Sequence, residues 1–186
     1  RGAQVSVTSR ISDLGTDLIT VSPGAQALRF AFFGGGGNSD VLSLADALAL
    51  KDDVFAPDVR LVAPENSFSG AATFGSENMF VSGVGITAEY LEARNLKIQS
   101  GRNISNTDVA NISNVAILGS ETRKTLFAQR DLIGATIKIS GREFTVVGVL
   151  ESQESSLFNP DNSVLIPITT AHYRMNNGKG PVDSIS

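Results

Sequence analysis

The chain of 186 residues has no cysteine and no tryptophan, and only one histidine. Without thiols there is no disulfide staple, no thiolate nucleophile and no cysteine-ligated metal, and the sequence suits an oxidising compartment or a reducing one equally. The lone histidine, His172, stands in a short polar stretch with no acidic residue or second histidine at metal or triad spacing, so a surface position is the plainer reading. Basic excess is also missing. Fifteen Lys and Arg against nineteen Asp and Glu give a net charge of -4, which excludes the clustered cationic footprint that nucleic acid requires. Long apolar runs are absent: stretches such as Phe144–Leu150 fall far short of the roughly 18–20 residues that span a bilayer. The first residues lack a signal peptide's charged-then-apolar layout. A start on Arg1 and a stop within a strand-like pattern at Ser186 give the look of a piece cut from a larger membrane protein.

What is present is a folded, loop-rich composition, 41% hydrophobic and 18% charged with 18 glycines, long enough to bury a core without staples. β-Branched runs bounded by Pro or Gly predict strands at Asp17–Val21 and Val59–Ala63, with a third expected over Leu28–Phe33. A tetraglycine loop at 34–37 follows, then a helix opening at Ser43 and ending near Asp52 and Asp53. Gly70–Phe74 and Asn78–Gly85 flank Gly75-Ser76-Glu77 as a hairpin would, and Thr87 is placed to cap a helix through Tyr90, Leu91 and Arg94. Beyond Asn95 the pattern changes to a strand at Val115–Leu118, a helix at Ser120–Gln129, and strands at Ala135–Ser140, Glu143–Leu150 and Ser163–Pro167. A long polar loop at Glu151–Asn162, a short helix near Thr169–Arg174, a linker at 176–181 and the start of a strand at Val182 complete the reading.

Motifs that carry chemistry are few. Gly83-Val84-Gly85-Ile86-Thr87-Ala88 fits the dinucleotide pattern G-x-G-x-x-A between a strand and a helix. It follows a hairpin rather than opening a βαβ unit, which favours glycines that serve a sharp turn. There is no G-x-S-x-G elbow, and the tetraglycine lacks the Lys and helix start of a Walker motif. Asp52 and Asp53 diverge as neighbours and read as a solvated helix end, while Arg123, Lys124 and Arg130 read as a solvated basic face. No catalytic residue, cofactor or metal is expected. Candidate partner contacts are apolar side chains on loops: Phe32 and Phe33, with Phe30, before the tetraglycine, and Leu157 with Phe158 in the polar loop; each set has folding back onto the core as its alternative.

Several stretches together resemble the MacB-like ABC transporter permeases. Ile11–Gly24, running Ile-Ser-Asp-Leu-Gly-Thr-Asp-Leu-Ile-Thr-Val-Ser-Pro-Gly, is similar to the segment that follows the first transmembrane helix in that family. In the same order come Val81–Val84 leading to Tyr90, Gly101–Ser105 with Asp108, and Val115–Gly119 with Leu126-Phe127. Ile133-Gly134, Phe144–Val149 and Val164–Pro167 complete the series. The resemblance implies an α+β extracytoplasmic (periplasmic core) domain of two lobes: a porter-like βαβ lobe and an inserted mixed α/β Sabre-like lobe. Boundaries are expected at 1–82 for the first half of the porter-like lobe, 83–175 for the Sabre-like lobe, and 176–186 for a linker and returning strand, with hinge candidates at Ser82 and Gly83. The second porter half is missing after Val182, so that lobe is incomplete, completed by another copy, or disordered.

The resemblance further implies a non-enzymatic domain of a membrane protein, outside the inner or cytoplasmic membrane and homodimeric at full length. It would couple a cytoplasmic ATPase, through transmembrane helices, to an adaptor protein and export of substrate. The alternative from another class is a secreted or surface β-rich module binding carbohydrate or peptide; a small hydrolase is the remotest. Sequencing the gene's flanks separates them: the permease reading expects one apolar helix just before Arg1 and three more after the missing porter half, and their absence would sink it.

Overall fold

The structure, a computed structural model, describes residues 62–128, 132–153 and 160–175, together with the backbone of 184–185. The elements expected before residue 59, the tetraglycine, Phe32, Phe33, Leu157 and Phe158 lie outside the described residues, as does most of Val59–Ala63.

The first described strand, β1 (Pro64–Phe74), starts six residues before the expected ribbon at Gly70. Pro64 does not break it, because the first residue of a strand has no need to donate a ladder hydrogen bond. A turn with Gly75 at φ 60° leads into β2 (Glu77–Ile86), and the two pair antiparallel from Asn66↔Gly85 to Phe74↔Glu77. Then follow α1 (Tyr90–Ala93), β3 (Ile98–Gly101), α2 (Asn106–Ala110), β4 (Val115–Leu118), α3 (Ser120–Phe127), β5 (Thr136–Ile139) and β6 (Arg142–Leu150). The last part comprises a 3₁₀ turn (Pro160–Asn162), β7 (Ser163–Pro167), α4 (Ile168–Thr170), a π-helical turn (Ala171–Met175) and β8 (Ser184–Ile185). The expected helix near Thr169–Arg174 is thus one α turn widened into a π turn. β5 and β6 meet through Ser140 and Gly141, both at positive φ, as a two-residue hairpin that follows the strand twist requires.

Six strands close on themselves in the order β2-β7-β4-β6-β5-β1 and back to β2. The closing contact is short, with only Ala72↔Ile139 and Thr73↔Lys138 joining β1 to β5. All six strands send side chains to one interior: Ala72, Val81, Val164, Ile166, Ala116, Leu118, Phe144, Val146, Ile137 and Ile139. Leu126 and Phe127 of α3 join this interior, and the Phe127 ring stacks on Phe74 at the end of β1 with centroids 4.0 Å apart. Ala171 enters the same interior from the π turn. A second core lies on the outer face of β2, β7, β4 and β6, where Val84, Leu165, Ile117, Val147 and Leu150 meet Tyr90 and Leu91 of α1 and Ile104. Strands buried on both faces read as continuous apolar runs, which is why β4 and β7 were evident in the sequence.

Two elements were not anticipated. β3 is four residues long and mostly exposed, pairing only with β6, and α2 is a five-residue helix held by a capping box. Thr87 does not cap α1: Glu89 takes the N-cap position without a side-chain capping bond, and the buried Thr87 hydroxyl has no hydrogen-bond partner. The boundary expected between residues 82 and 83 falls at mid-length of β2, where Ser82 pairs with Ser69 and Ser163, and Gly83 with Phe68 and Val164. The change of sequence character marked the sharp turn after β2, not the start of the sheet.

Both short helices end in the same motif with different residues. After α1, Asn95 sits at φ 51° and Leu96 N–H donates to Leu91 O at 2.7 Å; after α2, Ile112 sits at φ 51° and Ser113 N–H donates to Asp108 O at 3.0 Å. Asparagine tolerates the left-handed region, whereas a β-branched side chain is strained there by about 1–2 kcal/mol. Ile112→Gly is therefore expected to raise the unfolding free energy by about 0.5–1 kcal/mol in urea titrations, and Asn95→Ala to lower it by about as much.

Candidate partner-contact surface

The registers give the lobe two ends. At one lie the first residues of β1, the last of β2 and β7, and the two-residue pairing of β8 with Pro64 and Glu65. At the other lie the Gly75–Ser76 turn, Gly119 with the start of α3, and both feet of segment 154–159, which carries Leu157 and Phe158. The feet are rigid. Asp161, 7% exposed, accepts from Ser152 Oγ at 3.0 Å and from Gln153 N–H at 3.3 Å, so one carboxylate ties the residues after β6 to those before β7. Ser163 Oγ donates to Pro160 O at 2.6 Å, and Gly119 N–H to Ser163 O at 2.9 Å, fixing the second foot against the start of α3. A buried carboxylate is tolerated only when bonded in this manner.

The exposed apolar side chains that the structure places on this lobe are different ones. Phe80 is 73% exposed on the outer face of β2, opposite Ala71 and beside Ser69 and Ser82; Tyr173 and Ile133 are also exposed. Phe80 was legible in principle: along Asn78-Met79-Phe80-Val81-Ser82 it occupies the solvent phase of an alternating strand. On α3, Lys124 is tied to Glu121 at 2.6 Å and Arg123 is half-buried, while Arg130 is outside the described residues. His172 is half-buried, edge-on to the Tyr173 ring at 4.9 Å, and among the described residues no cluster of metal-ligating side chains is present.

The glycines of the G-x-G-x-x-A segment serve packing. A Cβ on Gly83 would strike the Phe68 ring of the facing strand, and one on Gly85 would strike Ala171 and the Ile168 backbone of the segment that covers β2. Both glycines are paired in register on both sides of β2, so their peptide groups are occupied by ladders rather than presented to a phosphate.

Segment 101–108 forms a polar knot. Gly101, at φ 83°, packs so close to the Val147 carbonyl that a side chain would not fit. Arg102 N–H donates to that same carbonyl at 2.8 Å, and its guanidinium grips Asp108 at 2.7 and 3.3 Å. Asp108 N–H donates to Ser105 Oγ at 3.2 Å while Ser105 N–H donates to Asp108 Oδ2 at 2.9 Å, the reciprocal capping of α2, and Ser105 Oγ adds a bond to the same Oδ2 at 2.6 Å. Asn103 reaches Ala88 O at 2.9 Å, binding the knot to the turn before α1.

Residues 1–185 match the model of the MacB-like periplasmic core domain. The chain belongs to that family. Among curated relatives, the macrolide export ATP-binding/permease protein MacB of Neisseria gonorrhoeae (strain ATCC 700825 / FA 1090) is 28% identical over 188 residues, which is 100% of this chain and 28% of the relative. MacB of Azoarcus sp. (strain BH72) is 30% identical over 176 residues, 94% of this chain and 26% of the relative. The chain therefore spans about a quarter of the curated relatives it matches. Among solved structures, the periplasmic region of MacB from Actinobacillus actinomycetemcomitans superposes with a TM-score of 0.78 at 23% identity, covering 97% of this chain and 78% of that one. The extracellular domain of the ABC-type transporter YknZ from Gram-positive bacteria gives 0.68 at 19% identity, covering 90% and 81%. The fold is that of these domains, α+β with two lobes, and among the described residues of this family member no helix is long and apolar enough to cross a membrane.

The knot makes a pH prediction. The hydrogen bond from Arg102, together with those from Ser105, holds the Asp108 carboxyl down to about 2 against the partial desolvation that would raise it. A carboxyl whose folded value lies below its unfolded one stabilises fully above the unfolded value near 4, and that stability fades as pH falls through about 2. With the Arg102 side chain half exposed, the contribution is about 1–2 kcal/mol. Asp108→Asn is expected to remove it at pH 7, and to narrow the gap from wild type in denaturant titrations carried from pH 5 towards pH 2.

Proposed function

We propose that this chain is the non-enzymatic extracytoplasmic domain of an ABC transporter permease, coupling the ATP cycle of a cytoplasmic domain to an adaptor protein and to export of substrate. The observation that carries the reading is the family match over residues 1–185. It is supported by curated relatives named as ATP-binding/permease proteins for macrolide export. A coupling domain needs rigid bodies and contact surfaces rather than a nucleophile, and the closed six-strand lobe with its two cores supplies a rigid body.

In this reading the adaptor contacts Leu157 and Phe158, which follow Gln153 and precede Pro160 in the sequence. Apolar side chains in a polar stretch of sequence offer contact area to a partner. In the full-length protein, Leu157→Ser with Phe158→Ser is expected to weaken capture of the adaptor from the neighbouring gene by about tenfold, with thermal stability nearly unchanged. An equal loss of stability would place the pair in the core and end their assignment as contacts. Unchanged capture with unchanged stability would move the contact elsewhere on the domain.

A further inference from the structure

α2 has five residues, too few for a helix to hold by its own ladder, so what stands at its two ends decides whether it forms. At the first end is the polar knot. Asp108, 7% exposed, closes the capping box with Ser105 and takes the guanidinium of Arg102, whose side chain is 52% exposed. At the second end, carbonyls of the last turn and its exit accept from α4. Thr169 Oγ donates to Val109 O at 2.6 Å, and Thr170 Oγ to Ser113 O at 2.8 Å. Between those two carbonyls lies Ile112, a β-branched residue at φ 51°, and unwinding of the segment would relieve its strain. The helix is therefore wound because both ends are held.

What α4 carries matters for the ring. Ala171, the residue after Thr170, enters the interior shared by the six strands. There is no spare room beside it, since a Cβ on Gly85 would strike both Ala171 and the Ile168 backbone. Residues 168–171 thus have a close seat against β2, and two of the hydrogen bonds that keep them there end on α2. We propose that α2 is a latch between the surface and the ring: the half-exposed Arg102–Asp108 pair holds α2 wound, and wound α2 holds residues 168–171 in their seat. A pull or a competing charge that parts Arg102 from Asp108 is then felt at Ala171, through one element with two states. Coupling of this kind is reciprocal, so loosening the threonine end loosens the knot as well. None of these bonds depends on the transport role, and the latch stands or falls apart from it.

Hydrogen exchange read by mass spectrometry on the full-length protein tests both directions. Asp108→Asn is expected to speed exchange of residues 168–173, where Ala171 N–H donates to Ile168 O, by about tenfold. Thr169→Val with Thr170→Val, which removes two hydroxyls and keeps the side-chain shape, is expected to speed exchange of residues 106–111 by about as much. In both variants Val115–Leu118 and Val164–Ile166 keep their wild-type rates. An effect confined to the substituted end overturns the latch, and so does equal quickening of those two strands, which would reduce the knot to a general stabiliser. Arg102→Gln leaves the Ser105–Asp108 box in place and serves if Asp108→Asn does not fold. About threefold faster exchange at 168–173 is expected from it, and unchanged exchange there overturns the latch.

Discussion

The described lobe depends on one strand that serves different neighbours along its length. β1 pairs with β2 over nine residues, with β8 at Pro64–Glu65 and with β5 at Ala72–Thr73. The contact with β5 turns an open, twisted sheet into a ring, and ring closure removes the exposed edges that would otherwise invite pairing with other chains. Once the ring is closed, alternate residues of six strands must share one interior, and the complementary residues of four of them must be covered from outside by α1 and the Ile104 segment. The two cores are a consequence of one short seam.

Five of the stretches that resemble the permease family fall on buried or hydrogen-bonded parts of this arrangement, while Ile133-Gly134 is exposed and Ile11–Gly24 lies outside the described residues. Val115–Leu118, Phe144–Val149 and Val164–Pro167 are the doubly covered centre of the sheet. Val81–Val84 carries Gly83, whose missing side chain admits the Phe68 ring, and Gly101–Ser105 with Asp108 is the polar knot that ties β3, α2 and the turn before α1 together. Leu126-Phe127 fills one end of the ring.

Legibility in the sequence followed burial. β4, β6, β7 and α3 were readable because buried apolar runs and a helical stripe have a period that composition cannot hide. The first half of β1 was not, since Ser67 and Ser69 face solvent and Pro64 imitates a break; β3 and α2 were not, being short and held by side-chain bonds rather than by periodicity. Of the candidate contacts, Leu157, Phe158, Phe32 and Phe33 lie outside the described residues, while Asp161, which ties Ser152 and Gln153 to the start of β7, has a role that follows from a hydrogen-bond pattern invisible to spacing. Phe80 was overlooked although its phase in β2 marked it.

The order of strands in the ring also sets a schedule for the growing chain. β1 and β2 form a local hairpin early, yet β2 borders β7, which ends at Pro167, and β4 sits between β7 and β6. As the polypeptide leaves a ribosome or a translocation pore, β2 therefore waits with the backbone N–H and C=O groups of one edge unpaired until nearly the whole lobe has emerged. Contacts so distant in sequence form slowly. The interval during which the hairpin is exposed, rather than the finished lobe, is when this domain is most open to pairing with the wrong partner.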